Sequence, residues 1–143
     1  MNRTNAFFGA LLIATFAGGC KQAPEPAPTE ATGPHKAGTI TIDGRTWEVI
    51  ADVQCSVLPG PVVAIAGHAA DDEAVEIVID YNGNQEPTGA SVKKPDGTVD
   101  WTAYASMNFQ IERQRVQGAG YFTGTMRGIE KQAEGRFDVD CRR

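Results

Sequence analysis

The chain has 143 residues, 41% of them hydrophobic and 22% charged, which suits one domain with a core and leaves little room for a second. Its 13 Lys+Arg against 18 Asp+Glu give a formal net charge of -5. That balance argues against nucleic acid as a partner, because such binders normally carry a basic patch.

The N-terminus reads as an address. Arg3 precedes an uncharged run, Ala6 to Ala17, whose only polar member is Thr15. This is the length of a secretory apolar region and well short of the ~20 residues a helix needs to span a bilayer. Ala17, Gly18 and Gly19 then lead straight into Cys20. The arrangement resembles a bacterial lipobox, in which the cysteine thiol receives a diacylglyceryl group and the chain is cut just before it. The resemblance implies cleavage between Gly19 and Cys20, removal of residues 1–19 and lipidation of Cys20. Ala17 departs from the Leu more usual at its position, and an ordinary signal peptide with an incidental cysteine is the alternative. Each buried methylene is worth ~0.8 kcal/mol, and two or more acyl chains hold a protein stably where one does not. The expected location is therefore the cell membrane, lipid-anchored on its extracytoplasmic face. Membrane lipid is the partner reached through the anchor. No cofactor is expected beyond the diacylglycerol and acyl chains on Cys20.

Residues 21–38 contain four of the eight prolines and no Ile, Leu, Val or aromatic residue. Such a segment cannot offset its ordering entropy by burial, so 20–38 is expected to be a disordered tether. Thr29 and Thr32 lie among prolines, a setting compatible with O-glycosylation; a plain spacer is the blander reading. His35 is expected to face solvent.

From Thr39 the hydrophobic period becomes two, and the domain is placed at 39–143. Ile40 and Ile42 alternate with polar residues, and Asp43-Gly44 marks a turn. Trp47, Val49, Ala51, Val53 and Cys55 share one face of the next strand. Leu58-Pro59-Gly60-Pro61 breaks it. Val62 to Gly67 is an apolar run expected to be buried on both faces. After a polar loop at Asp71-Asp72-Glu73, Val75, Ile77, Ile79 and Tyr81 alternate up to a turn at Asn82-Gly83-Asn84. Two further strands flank Pro95-Asp96-Gly97, where Pro presets φ and Gly takes a positive φ. Phe109 to Val116 is expected as a strand, with a helical turn as the alternative. Gly118-Ala119-Gly120 separates it from Tyr121 to Arg127. The last strand, Gly135 to Cys141, points Phe137, Val139 and Cys141 inward. About eight short strands at this spacing predict an all-β fold, a sandwich or flattened barrel.

Cys55 and Cys141 each close an inward-facing row. A secreted chain meets an oxidising compartment, so the two are expected to pair, Cys20 being consumed by lipid. Two unpaired buried thiols are the alternative.

Little chemistry is legible in the domain. A nucleophile needs a base and an orienting group beside it. His68 closes an apolar strand, and Ser56, Ser91 and Ser106 sit in no motif. Asp71, Asp72 and Glu73 lack the alternating spacing of a calcium loop, so a solvated turn is favoured. The cysteine spacing fits no zinc motif, and no metal site is expected. Trp47, Trp101, Tyr104, Phe109, Tyr121 and Phe122 read as core or rim rather than as a carbohydrate platform. The domain is not expected to be an enzyme.

Several phrases nevertheless carry a likeness in order and spacing across 39–141. They are Ile42-Asp43-Gly44, Cys55, Ala64-Ile65-Ala66-Gly67, and Asn82-Gly83-Asn84 with Pro87. Gly120-Tyr121-Phe122-Thr123-Gly124-Thr125 follows, then Gly128 and Phe137-Asp138-Val139-Asp140-Cys141. Together with the lipobox and tether, the chain resembles the mycobacterial 19 kDa lipoprotein antigen family. The resemblance implies a surface-exposed acylated protein without established catalysis, whose acylated N-terminus is recognised by host innate receptors. The tether departs from the family in being proline-rich rather than Ser/Thr-rich, and Arg142-Arg143 extend past the usual terminal cysteine. The expected role is display of a non-catalytic β-domain at the envelope. The alternative is a module holding a lipid or other apolar ligand between its sheets.

Overall fold

The computed structural model describes residues 34–60, 62–83, 89–103, 107–126 and 128–142. Among them run nine strands: β1 (His35–Ile42), β2 (Arg45–Leu58), β3 (Val62–Ala69), β4 (Asp72–Asn82), β5 (Gly89–Lys93), β6 (Val99–Ala103), β7 (Asn108–Glu112), β8 (Arg115–Met126) and β9 (Ile129–Asp140). Neighbours from β1 to β6 pair antiparallel, β9 returns to β1, and β8 joins β9 to β6. Eight strands thus close into a barrel, and β7 is an extra strand hydrogen-bonded to β8. Closure pairs the eight barrel strands on both sides and leaves the outer edge of β7 without a ladder partner among the described residues. Of the two expected architectures, the barrel is the one formed.

β8 makes the closure by sharing one side between two partners. Its first half, Arg115 to Ala119, pairs with β7, and its second half, Thr123 to Met126, pairs with β6. At this seam Trp101 stands opposite Gly124. A Cβ on Gly124 would lie 1.7 Å from the Asp100 carbonyl oxygen, so only glycine permits the approach.

The interior is filled by the inward side of each strand. Trp47, Trp101 and Phe122 are its largest fully buried side chains, packed with Ile40, Ile42, Ile65, Ile77 and Ile79. The Arg45 guanidinium caps Trp47 from outside, 4.7 Å from the ring centroid. Outward positions such as Glu76, Asp80 and Asp138 are polar. Apolar inside and polar outside is the reverse of a membrane-spanning barrel.

Five expectations need correction. First, β1 begins at His35, inside the segment expected to be a tether; His35 is only half-buried, and Ala37 beside it is buried. The polar composition hid a strand stabilised by backbone pairing to β2, His35 opposite Ala51. Second, Val53 is 78% exposed. The β2–β3 register shifts between Ile50 and Gln54, and this bulge turns Val53 out before Cys55, Ser56 and Val57 turn in. Third, β3 is buried on one side: Val63 and Ile65 face the core while Ala64 and Ala66 are half-buried. Fourth, Phe109 to Val116 is neither one strand nor a helical turn. It is the β7–β8 hairpin, with Arg113 at φ 55 in its turn. Fifth, Gly118-Ala119-Gly120 does not separate strands; β8 runs through it.

Candidate functional site

The two ends of the barrel differ. One carries the short turns of the β1–β2, β3–β4, β5–β6 and β8–β9 hairpins. Asp43-Gly44 makes the first, with φ of 52 and 75, the pair of positive values a type I′ turn requires. In the third, Gly97 N donates to Lys94 O and Thr98 N to Asp96 Oδ1. The opposite end holds the start of β1, the end of β9 and the β7–β8 turn.

At this second end β1 parts from β9. Gly38 is its last residue opposite β9, whereas its pairing with β2 continues to His35. The Cys55–Cys141 disulfide bridges the resulting gap, with Cα atoms 5.4 Å apart and a sequence separation of 86. Both cysteines are buried. Cys141 N donates to Gln114 O at 2.9 Å, and Gln114 Nε2 donates to Val57 O at 3.3 Å. Cys141, the β7–β8 turn and β2 are thereby tied together at the end of the barrel where β1 begins.

A broad concavity lies on the outer surface. A groove of ≈ 510 Å3 crosses the outward faces of four neighbouring strands. β1 contributes Thr39 and Thr41, and β9 contributes Arg136 and Asp138. β8 contributes Gln117 and Ala119, and β7 adds Asn108 and Gln110. A second depression of ≈ 500 Å3 continues it towards the hairpin end, sharing Thr41, Ala119 and Arg136 and adding Asp43 and Glu134. Asp138 is held by Arg115, whose Nε lies 2.8 Å from Oδ1, and by Gln117 Nε2 at 2.9 Å. The Arg115 guanidinium holds the Asp138 carboxyl below its ordinary range, assisted by Gln117 and opposed by partial desolvation. Lys131 pairs with Asp43 at the other end. Tyr121, 51% exposed on the same face of β8, donates to Glu134 Oε1 at 3.3 Å.

The other residues weighed in the sequence fall apart in space or into structural roles. His68 Nδ1 lies 3.0 Å from Asp52 Oδ2, a part-exposed pair between β3 and β2. Asp72 accepts from Lys94 Nζ at 2.8 Å and from Ala74 N at 3.1 Å, so it stabilises its own turn. The Lys94 ammonium lowers the Asp72 pKa. Among the described residues no cluster of three or more His, Cys, Asp or Glu could hold a metal ion. No helix among them is long and apolar enough to cross a membrane. Gly19, Cys20, Thr29 and Thr32 lie outside the described residues. Sequence reading missed the groove because its residues come from four strands and share no motif. The single legible signal was the run of small residues at Gly118-Ala119-Gly120.

Compared with models of protein families, with curated proteins and with solved structures, the chain matches none.

Proposed function

We propose that the protein is a membrane-anchored bacterial lipoprotein that displays a non-catalytic β-barrel at the cell envelope, in the manner of a surface antigen or host-interaction lipoprotein. The observation that carries the reading is the apolar run Ala6 to Ala17 ending in Ala17-Gly18-Gly19-Cys20. Its length suits export, and a thiol placed directly after small residues suits acylation and cleavage. The likeness to the mycobacterial 19 kDa lipoprotein antigens supports the same assignment and extends it to recognition of the acylated N-terminus by host innate receptors.

The barrel is built compatibly with such an anchor. The chain enters at His35, at the end closed by the Cys55–Cys141 bridge. The residues between Cys20 and His35 are rich in proline, and at ~3.1 Å per residue an extended tether of this length reaches roughly 45 Å. The hairpin end then points away from the bilayer and the outer face is free to meet partners. A side-chain-filled interior favours display over storage of an apolar ligand, which needs a cavity of several hundred Å3.

Intact-mass analysis of the protein recovered from membranes tests the reading. The expected species begins at Cys20 and carries diacylglyceryl and further acyl mass on that residue. A mature chain beginning elsewhere with an unmodified Cys20 would refute it.

A further inference from the structure

We propose that the outer groove across β1, β9, β8 and β7 binds a short stretch of neutral carbohydrate. The inference does not depend on the lipid anchor.

Hydrogen-bonding chemistry comes first. The groove wall is made of hydroxyls and carboxamides, Thr39 and Thr41 on one side and Asn108, Gln110 and Gln117 on the other. These groups both donate and accept, which matches a polyol whose every hydroxyl does the same. Asp138 is fixed by Arg115 and Gln117, so it offers an oriented acceptor without rearrangement. Arg136, opposite Ala119 in the β8–β9 ladder, has no hydrogen bond or ion pair among the described residues and presents a fork of donors.

Shape and apolar surface agree. Four strands at ~4.8 Å spacing give a floor about 14 Å wide, and Glu134 to Asp138 adds about 13 Å along β9. Ala119 keeps the middle of that floor low. Tyr121, two residues further along the same face of β8, is half-exposed and tethered to Glu134. It lines neither depression itself and reaches the second only through Glu134, so the apolar floor available to the C–H face of a sugar is Ala119.

Other ligand classes fit less well. An anion would meet three carboxylates, Asp43, Glu134 and Asp138, with Arg136 the one lining cation left without a partner among the described residues. An apolar ligand would strip water from the amides without replacing their hydrogen bonds. An extended peptide would gain affinity by backbone pairing along the outer edge of β7, which has no ladder partner among the described residues, rather than on this floor, the face of ladders already paired.

The test uses the full chain in detergent micelles against an immobilised panel of neutral gluco-, manno-, galacto- and arabino-oligosaccharides, with uronic-acid oligosaccharides as a second arm. At least one neutral member is expected to be retained, and Ala119→Trp and Arg136→Ala are each expected to weaken retention by about tenfold or more. Both positions are exposed, and an unchanged thermal midpoint shows that the barrel is intact. Retention of no neutral member, retention confined to uronic acids, or retention indifferent to both substitutions would overturn the proposal.

Discussion

The ring of Phe137 occupies the space that a side chain on its ladder partner Gly118 would take. A Cβ at Gly118 would stand 2.3 Å from Phe137 Cζ and 2.4 Å from Cε1. The same ring meets Phe109 edge-on at 5.5 Å, and Phe109 stacks against Tyr81 at 4.5 Å. One glycine therefore lets an aromatic row run from β9 across β7 to β4, around the part of the barrel where β7 has replaced β6 beside β8. Gly118→Ala should destabilise the domain by about 1–3 kcal/mol through overpacking. Adding Phe137→Leu should recover part of that loss, because the two sites share one space. Urea denaturation of the single and double variants checks both statements. Additive losses would show that the ring and the glycine are not coupled.

The disulfide should matter more than any one side chain. It joins β2 to the chain end where β1 no longer lies between them. Loss of the bridge should cost about 2–5 kcal/mol, the chain-entropy value for so long a loop lying near the upper end. The urea midpoint with and without reductant, beside Cys55→Ser/Cys141→Ser, measures it. The double variant should match the reduced protein and should itself be insensitive to reductant.

Acid should weaken the fold through identifiable carboxylates. Asp138 and Asp72 have folded-state pKa values below ordinary, the first because of the Arg115 guanidinium and the second because of Lys94. A lowered folded pKa means that the unfolded chain takes up protons first as pH falls. The associated stability is therefore fully present above the ordinary carboxylate pKa and is lost as pH drops through the depressed folded values. Asp138→Asn should flatten this acid limb while changing the neutral-pH midpoint only slightly, since the pair is largely exposed. Thermal midpoints from pH 7 down to about pH 2 would show it. An acid limb of unchanged slope would assign the effect elsewhere.

The alternation of Ile40 with Ile42, and of Val75 with Ile77 and Ile79, made the all-β class legible, since inward rows need no knowledge of pairing. Asp43-Gly44 and Pro95-Asp96-Gly97 were legible because their turn chemistry is local. The Cys55–Cys141 pair followed from two inward rows and the expectation of an oxidising compartment. Three kinds of feature stayed hidden. Val53 looked inward because a bulge resets the face without changing composition. Arg113 gave no turn signal, being neither Gly nor Asn, so the β7–β8 hairpin read as one strand. The groove escaped because Thr39, Gln110, Gln117 and Arg136 become neighbours only when β1, β7, β8 and β9 lie side by side, and alternation assigns faces but not strand order.

Anchoring through Cys20 is the claim on which the functional account rests, and fractionation of cells expressing the wild-type chain and Cys20→Ala tests it most directly. The wild-type protein should sit in the membrane fraction, be released by detergent but not by high salt, and be processed to begin at residue 20. Cys20→Ala should lose acyl labelling and stay unprocessed at that position. An equally membrane-bound Cys20→Ala protein with the same processing and labelling as wild type would contradict the account.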